Sequence, residues 1–349
     1  MERNRADVTY GWGVVFSGRA LSFIEQRTSQ LFDSIELHLE RWSDLSIFHQ
    51  NEAVRIDGSQ FSGISRQRLL TTLQHYCESV GVELHFSSPQ SALIANDTAD
   101  LTVGADGVNS FVRGADETRF QTSKELCSNY YIWYGTSQVF DTLSLIFKAN
   151  SDGAFVAHSY RYSPEMSTFL VECDAQTFAR AGLSRMTDSE SRSYCEKLFS
   201  SNLNGEKLRS NQSSWQQFPV IKNRHWFQNN TVLIGDALRT VHFSIGSGTR
   251  TALQDAIVLA DSISSCRGDL ARGLNRFVDD RRDEAQKIDL IASQSIRWYE
   301  EFHRHMALAP YDFAMSYMLR GGKLKLADIE AQAPIFAKQW QEHGSDNLV

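Results

Sequence analysis

Three short segments carry residue types that could hold a phosphorylated, sugar-bearing ligand. In TVLIGD an apolar run ends in Gly235-Asp236, and the loop that follows contains Gly246 and Gly248 before a helical pattern begins near Thr249. A carboxylate at a strand tip can accept from sugar hydroxyls, while a glycine loop and a helix N-terminus offer backbone N–H groups to an anion. In LTVGADGVNSFVR, Asp106-Gly107 follows a second short apolar run, with Ser110 and Arg113 behind it. In FSGISRQRLL, Arg66 opens an amphipathic helix, from where it can reach a phosphate. Each segment alone has a plainer reading: a tight strand-to-helix turn, a common Asp-Gly turn, and a surface arginine.

The elements that would position these residues are legible in part. RQRLLTTLQHYCESV places Leu69, Leu70, Leu73, Tyr76, Cys77 and Val80 at helical spacing, and Gly81 follows where a C-terminal cap belongs. VELHF, residues 82–86, alternates like a strand, and LTVGADG is a short apolar run broken by glycines. From Tyr130 to Cys173 four β-branched and aromatic runs are separated by short polar links, which predicts an antiparallel sheet. After it the chain returns to strand, loop and helix, and a long helix is expected from about Leu274 to Met306. The fold class implied is α/β with an inserted, mainly antiparallel sheet and C-terminal helices.

A chain of 349 residues is long enough for one large or two joined domains. Its net charge of -7 is spread without clustered Lys and Arg, which argues against nucleic acid and for a small-molecule ligand. Five scattered cysteines without a C-x-x-C pair read as reduced thiols in a cytoplasmic protein, not as a metal clamp. No apolar run reaches the length of a membrane span.

In combination, GWGVVFSG, GISRQRLL, VGADGVNSFVR and LIGDALRTVHFSIGSGT resemble the FAD-dependent aromatic hydroxylases of the p-hydroxybenzoate hydroxylase type. GWGVVFS, YIWYGTSQVFD, MSTFLVEC and HFSIGSGT are most similar to the salicylyl-CoA and anthraniloyl-CoA hydroxylases, and to a hydroxylase of violacein synthesis. The resemblance implies that Asp236, with Gly235, binds the ribityl chain of FAD and that Gly246 and Gly248 lie beside the isoalloxazine. It implies roles in the same cofactor site for Asp106 and Gly107, for Arg66 near the diphosphate, and for Glu2 at the adenosine ribose. Gly11 to Val15, including Gly13 and Val14, is implied to be a loop packed on the flavin. His242 is the implied catalytic candidate, although ordering its loop would also explain it. Trp133, His158 and Tyr160 would roof the substrate pocket, although core packing alone also accounts for aromatic residues on half-buried strands.

The implied reaction is hydroxylation of an aromatic ring, with NADH or NADPH and O2 as co-substrates, through a hydroperoxyflavin. An aromatic acyl-CoA thioester is the expected substrate; an indolic, tryptophan-derived metabolite or a non-catalytic flavoprotein fragment are the alternatives. The W-x-W-x-I-P signature of tryptophan halogenases is absent. Two departures stand out. Where the family continues Gly-Asp with Ala-Ala-His, this chain reads Ala237-Leu238-Arg239, so contacts on the solvent side of the cofactor are expected to differ. The family's G-x-G-x-x-G unit would precede Glu2, so MERNR reads as the tail of a second strand in a truncated unit. A preceding first strand is expected to lie between the strand ending at Glu2 and the one ending at Asp236. The expected division is residues 1–125 and 216–349 for FAD, and 126–215 for substrate.

Overall fold

The computed structural model describes residues 1–88, 99–115, 117–322 and 324–344. Its strands are β1 (Gly13–Ser17), β2 (Glu40–His49), β3 (Glu52–Ser65), β4 (Thr102–Gly104), β5 (Thr122–Thr136), β6 (Leu143–Asn150), β7 (Gly153–Ser163), β8 (Met166–Cys173), β9 (Leu208–Arg209), β10 (Gln216–Asn223), β11 (Phe227–Gln228) and β12 (Thr231–Leu233). Among the described residues the large sheet runs β1-β3-β2-β6-β7-β8-β5-β10, with β9 also on β5. Only its β2–β6 pair is parallel. A small sheet, β11-β12-β4, carries a parallel β12–β4 pair and ends at the two glycine-acid segments.

Alternation along the large sheet gives it two buried faces. Leu45, Ile47, Val54, Ile56 and Phe147 meet the C-terminal helices through Phe313, Phe336 and Trp340. Ile132, Tyr134, Phe155, Phe169 and Val171 point the other way, towards Phe178, Cys195 and Phe199 of the helical segment after β8. The small sheet packs under the helices Gly248–Ser265 and Leu270–Glu301, with Leu233, Leu259, Leu274 and Phe277 in its core.

The antiparallel sheet from Tyr130 to Cys173 is present, as is the helix Arg66–Ser79. Four expectations are corrected. Gly13–Ser17 is not a loop but a strand, with Gly13 opposite Ser65. Residues 82–86 form no strand, although Glu2 N–H donates to His85 O at 2.7 Å and Ser87 N–H to Asn4 O at 2.9 Å. Residues 1–5, expected as the tail of a strand, form no strand. The long helix is Leu270–Glu301, ending in a 3-10 turn Phe302–Arg304. The expected division at 125/126 falls inside β5, and β1 to β3 join the same sheet as β5 to β8, so that sheet draws on residues from both sides of the expected boundary.

Candidate active site

The Gly235-Asp236 segment turns sharply out of β12 into a single helical turn, Gly235–Leu238. Gly235 has φ +56°, and a Cβ there would stand 3.1 Å from the Ala252 Cβ, so only glycine lets the helix Gly248–Ser265 lie this close to the loop. Beneath it is a group that the motifs do not announce. Asp255, fully buried on that helix, accepts from Gly235 N–H at 3.1 Å, from Arg239 Nη2 at 2.9 Å and from Arg281 Nε at 3.0 Å. Arg281 also pairs with Glu284. Arg239, expected to alter the solvent side, is instead buried, paired with Asp255 and stacked 4.8 Å from the Trp226 ring.

Asp236 itself is exposed, at the start of that single helical turn. Desolvation pushes its carboxyl above the ordinary range, while the positive charges of Arg66 and Arg239 pull the other way. Arg66 opens its helix, lies 5.4 Å from the Trp133 ring centroid, and has a buried Nε without a hydrogen-bond partner. Arg66 also borders a cleft of about 340 Å³ shared with Glu2, Asn4, Tyr10 and Phe86. Gly246 ends the turn Phe243–Ile245 beside Val15, and Gly248 begins a helix of 18 residues with no side-chain cap at Ser247. Its first N–H groups therefore face outward without intrahelical acceptors.

The remaining expected residues divide. Both oxygens of Asp106 are taken by the chain: Ser110 Oγ at 2.5 Å, Phe111 N–H at 2.6 Å and Val112 N–H at 3.1 Å. Asp106 therefore shapes its turn rather than offering a free carboxylate, and the buried Arg113 ties that turn to Ala237 O at 2.8 Å. Gly107, at φ +79°, has open space around it. Glu2 accepts from Asn4 N–H at 2.8 Å at the rim of the N-terminal cleft. Gly13 packs against Tyr162, and Val14 points into the core, whereas Val15 reaches the cavity described next.

A cavity of about 290 Å³ lies between the large sheet, the loop Phe243–Ser247 and the chain around Tyr317–Arg320. Trp133, His158 and Tyr160 all line it, so the structure gathers the three expected pocket residues on one wall. Tyr160 is held by donating to Gly13 O at 3.0 Å, and burial pushes its pKa up to about 12. His242 does not line the cavity. It is buried behind the loop, its Nδ1 accepts from Ser244 N–H at 3.3 Å, and Phe218 packs 4.8 Å from its ring. Burial drives its pKa down to about 4, against the pull of Glu172. His242 thus lies behind the loop rather than on the cavity wall.

Through Ser59, Phe61, Met318 and Arg320 the cavity opens into a crevice of about 1230 Å³. The molecule thus combines an exposed carboxylate, an arginine with an unused Nε donor and a helix start without a side-chain cap with a cavity that opens into a larger crevice. The FAD binding domain family matches residues 26–288. The chain belongs to this family of FAD-dependent aromatic hydroxylases. It is 35% identical over 94% of its length to salicyloyl-CoA 5-hydroxylase of a Streptomyces species, spanning 66% of that protein. It is 33% identical over 92% of its length to protodeoxyviolaceinate monooxygenase of Chromobacterium violaceum, spanning 86% of it. A third relative is 3-hydroxy-4-methyl-anthranilyl-[aryl-carrier protein] 5-monooxygenase of Streptosporangium sibiricum, 32% identical over 93% of this chain and 87% of that protein. The fold is shared with 2-methyl-3-hydroxypyridine-5-carboxylic acid oxygenase, at TM-score 0.66 and 15% identity, covering 95% of this chain and 88% of that one. It is shared also with PqsL of Pseudomonas aeruginosa, at TM-score 0.66 and 16% identity, covering 87% and 90%.

The residues fit the family's cofactor. Asp236 offers acceptors for ribityl hydroxyls, Arg66 has an unused donor on the same side, and the outward N–H groups after Gly246 suit the electron-rich end of a flavin.

Proposed function

We propose that the protein hydroxylates an aromatic ring, using NADH or NADPH and O2, and that the ring is presented as an acyl thioester. The balance is ring C–H, O2, NAD(P)H and one proton giving ring C–OH, water and NAD(P)+. Bound FAD supplies the redox chemistry, taking electrons from the nicotinamide and activating O2 for transfer of one oxygen atom. Asp236, Arg66, Gly235, Gly246 and Gly248 would hold it, with Glu2 towards the ribose end and Asp106 and Gly107 shaping the adjoining turn. Trp133, Tyr160 and His158 would orient the ring and exclude water from it.

The observation that carries the thioester reading is the joining of a small cavity to a much larger crevice. A ring fills the first, and a flexible pantetheine tail has room in the second, where Gln60, Ser59 and Arg320 provide polar partners. Two relatives carry names for ring substrates on coenzyme A and on a carrier protein, which supports the same reading. The five cysteines are free and three of them are buried, in keeping with a cytoplasmic site where reduced nicotinamide is supplied.

The test measures NAD(P)H oxidation and O2 uptake with flavin-loaded protein. Salicyl-CoA, salicyl-pantetheine, free salicylate and an indole carboxylate are compared at equal concentration. Stimulation by either thioester at least tenfold above the free acid supports the proposal. Stimulation by the indole compound alone overturns the thioester reading, and stimulation by none overturns the hydroxylase reading for this chain.

A further inference from the structure

The cavity wall holds a charged relay that no motif announces. β5, β7 and β8 each present alternate residues to the cavity face: Asn129, Tyr131 and Trp133; His158 and Tyr160; Thr168, Leu170 and Glu172. His158 stands directly opposite Leu170 in the β7–β8 register, so Glu172 is its diagonal neighbour on the same face. His158 Nε2 lies 3.2 Å from Glu172 Oε2, and Asn129 Nδ2 donates to Glu172 Oε1 at 2.8 Å and to Tyr299 O at 2.9 Å. Glu172 is 1% exposed, near the end of a strand whose neighbouring Phe169, Leu170, Val171 and Cys173 are buried and apolar.

A carboxylate in that position is costly unless it is paired, and it would serve a core less well than leucine. Desolvation pushes the Glu172 carboxyl up, but the hydrogen bond and charge of His158, the charge of His242 and the Asn129 amide outweigh it, so the group sits below its ordinary range and stays ionised. An ionised acceptor on Nε2 fixes the imidazole as the Nε2–H tautomer and leaves the Nδ1 lone pair for another partner. Among the described residues Nδ1 has none, while the ring borders the cavity between Phe243, at 5.5 Å, and Tyr299, at 5.1 Å. The other titratable and charged groups around the ring are His242 from the loop, Tyr131 from β5, Tyr160 from its own strand, Tyr299 from the long helix, and Tyr317, Arg250 and Arg320 on the cavity wall.

We propose that His158, oriented by Glu172, accepts the proton of a hydroxyl on the substrate ring, so that the pocket selects phenols. The ring O–H breaks as Nδ1–H forms; the imidazolium is balanced by the Glu172 carboxylate, and the phenolate left in the cavity is the more electron-rich ring for accepting oxygen. His158 touches substrate and Glu172 is a positioning residue. The inference rests on the proposal that this cavity takes the ring.

The test reads protonation directly and needs no turnover. The probe is 2-hydroxy-5-nitrobenzoyl-pantetheine, whose phenol and phenolate differ in absorbance, with its 2-methoxy counterpart as a binding control. Bound to the wild-type protein, the probe should show a phenolate-to-phenol ratio roughly tenfold above that of the free probe at the same pH, a shift of about one pKa unit. Glu172→Gln should remove most of that enrichment and His158→Asn all of it, with affinity for the methoxy counterpart kept within about threefold. If Glu172→Gln does not fold, as judged by melting temperature, His158→Asn and His158→Gln carry the same test. Enrichment that survives loss of His158, or its absence in the wild type while both probes bind, overturns the relay alone. Failure of either probe to bind overturns the pocket assignment and the relay with it.

Discussion

Asp255 offers the sharpest test of how the cofactor loop is held. Its carboxylate is the acceptor for Gly235 N–H and the counter-charge of two buried arginines, Arg239 and Arg281. Asp255→Asn keeps the volume and removes the charge. The two guanidinium groups then remain desolvated, with Arg281 keeping only its half-exposed partner Glu284. Breaking a buried pair in this way costs about 3–5 kcal/mol, because the cations left behind are uncompensated. With an unfolding entropy of about 2.1 cal/mol/K per residue, 349 residues give roughly 0.7 kcal/mol/K, so the melting temperature should fall by roughly 4–7 °C.

The control is Arg27–Asp261, at 2.7 Å but with both side chains about half exposed, where solvent screens the charges. Asp261→Asn should cost no more than about 1 kcal/mol and shift melting by about 1.5 °C at most. Differential scanning calorimetry measures both. The same Asp255 variant should also bind FAD more weakly, since the single amide oxygen of Asn cannot serve Gly235 and the two arginines as the two carboxylate oxygens do. Melting of Asp255→Asn within 1 °C of wild type, to the precision implied by that entropy, would refute the reasoning that this carboxylate is the buried counter-charge.

Other expected outcomes follow from single contacts. Asp236→Ala should weaken FAD binding about tenfold to a hundredfold, as loss of a charged acceptor costs about 1.5–3 kcal/mol; unchanged affinity by fluorescence titration removes Asp236 from the site. Gly58 has φ +79°, and a Cβ there would stand 1.7 Å from Gln332 O, so Gly58→Ala should expose residues 326–343 to protease before the rest of the chain unfolds; an unchanged digestion pattern counts against that docking. His242 has its pKa lowered from 6.5 to about 4, so below pH 6.5 the unfolded chain takes up a proton that the folded one refuses. Its contribution to stability should thus be level above pH 6.5 and decline by about 3 kcal/mol as pH falls to 4. Urea unfolding across that range should show a shallower decline in His242→Asn, and an identical slope would sink the assignment.

The parts of the fold that the sequence made legible are those with strong local periodicity. The helix beginning at Arg66 and the strands between Tyr130 and Cys173 follow from apolar spacing. The β2–β3 hairpin was opaque because its turn is Gln50-Asn51, both at positive φ, rather than a glycine pair. Gly13–Ser17 was opaque as a strand because its partner, β3, lies far along the chain. At the site, motifs marked Gly235, Asp236, Gly246 and Arg66, but a motif does not say which acid is free. Asp106 carries the same residue type as Asp236, and its oxygens are consumed by Ser110, Phe111 and Val112. Asp255 and Glu172 had only a faint signal: each is an acid next to apolar residues on its element, Asp255 before Ala256-Ile257-Val258-Leu259 and Glu172 after Phe169-Leu170-Val171.

One element joins the two halves of the site. The helix Leu270–Glu301, 32 residues and so roughly 48 Å long, touches the cofactor loop and the cavity relay with one stripe of residues. In its first half Arg281 reaches Asp255, which holds Gly235. Further on, Ser295 Oγ lies 2.9 Å from Ser244 Oγ in the glycine loop, beside the Nδ1 of His242. At its end Tyr299 packs on His158, and its carbonyl accepts from Asn129. Short loops alone would let these parts drift independently, whereas a single packed helix fixes the distance between them. Oxygen transfer from a bound cofactor to a ring requires that distance to hold within a fraction of an ångström. The polar residues spaced along the buried stripe of this helix, Arg281 and Ser295, thus tie the loops at Gly235 and Ser244 to the same rigid element that packs on His158.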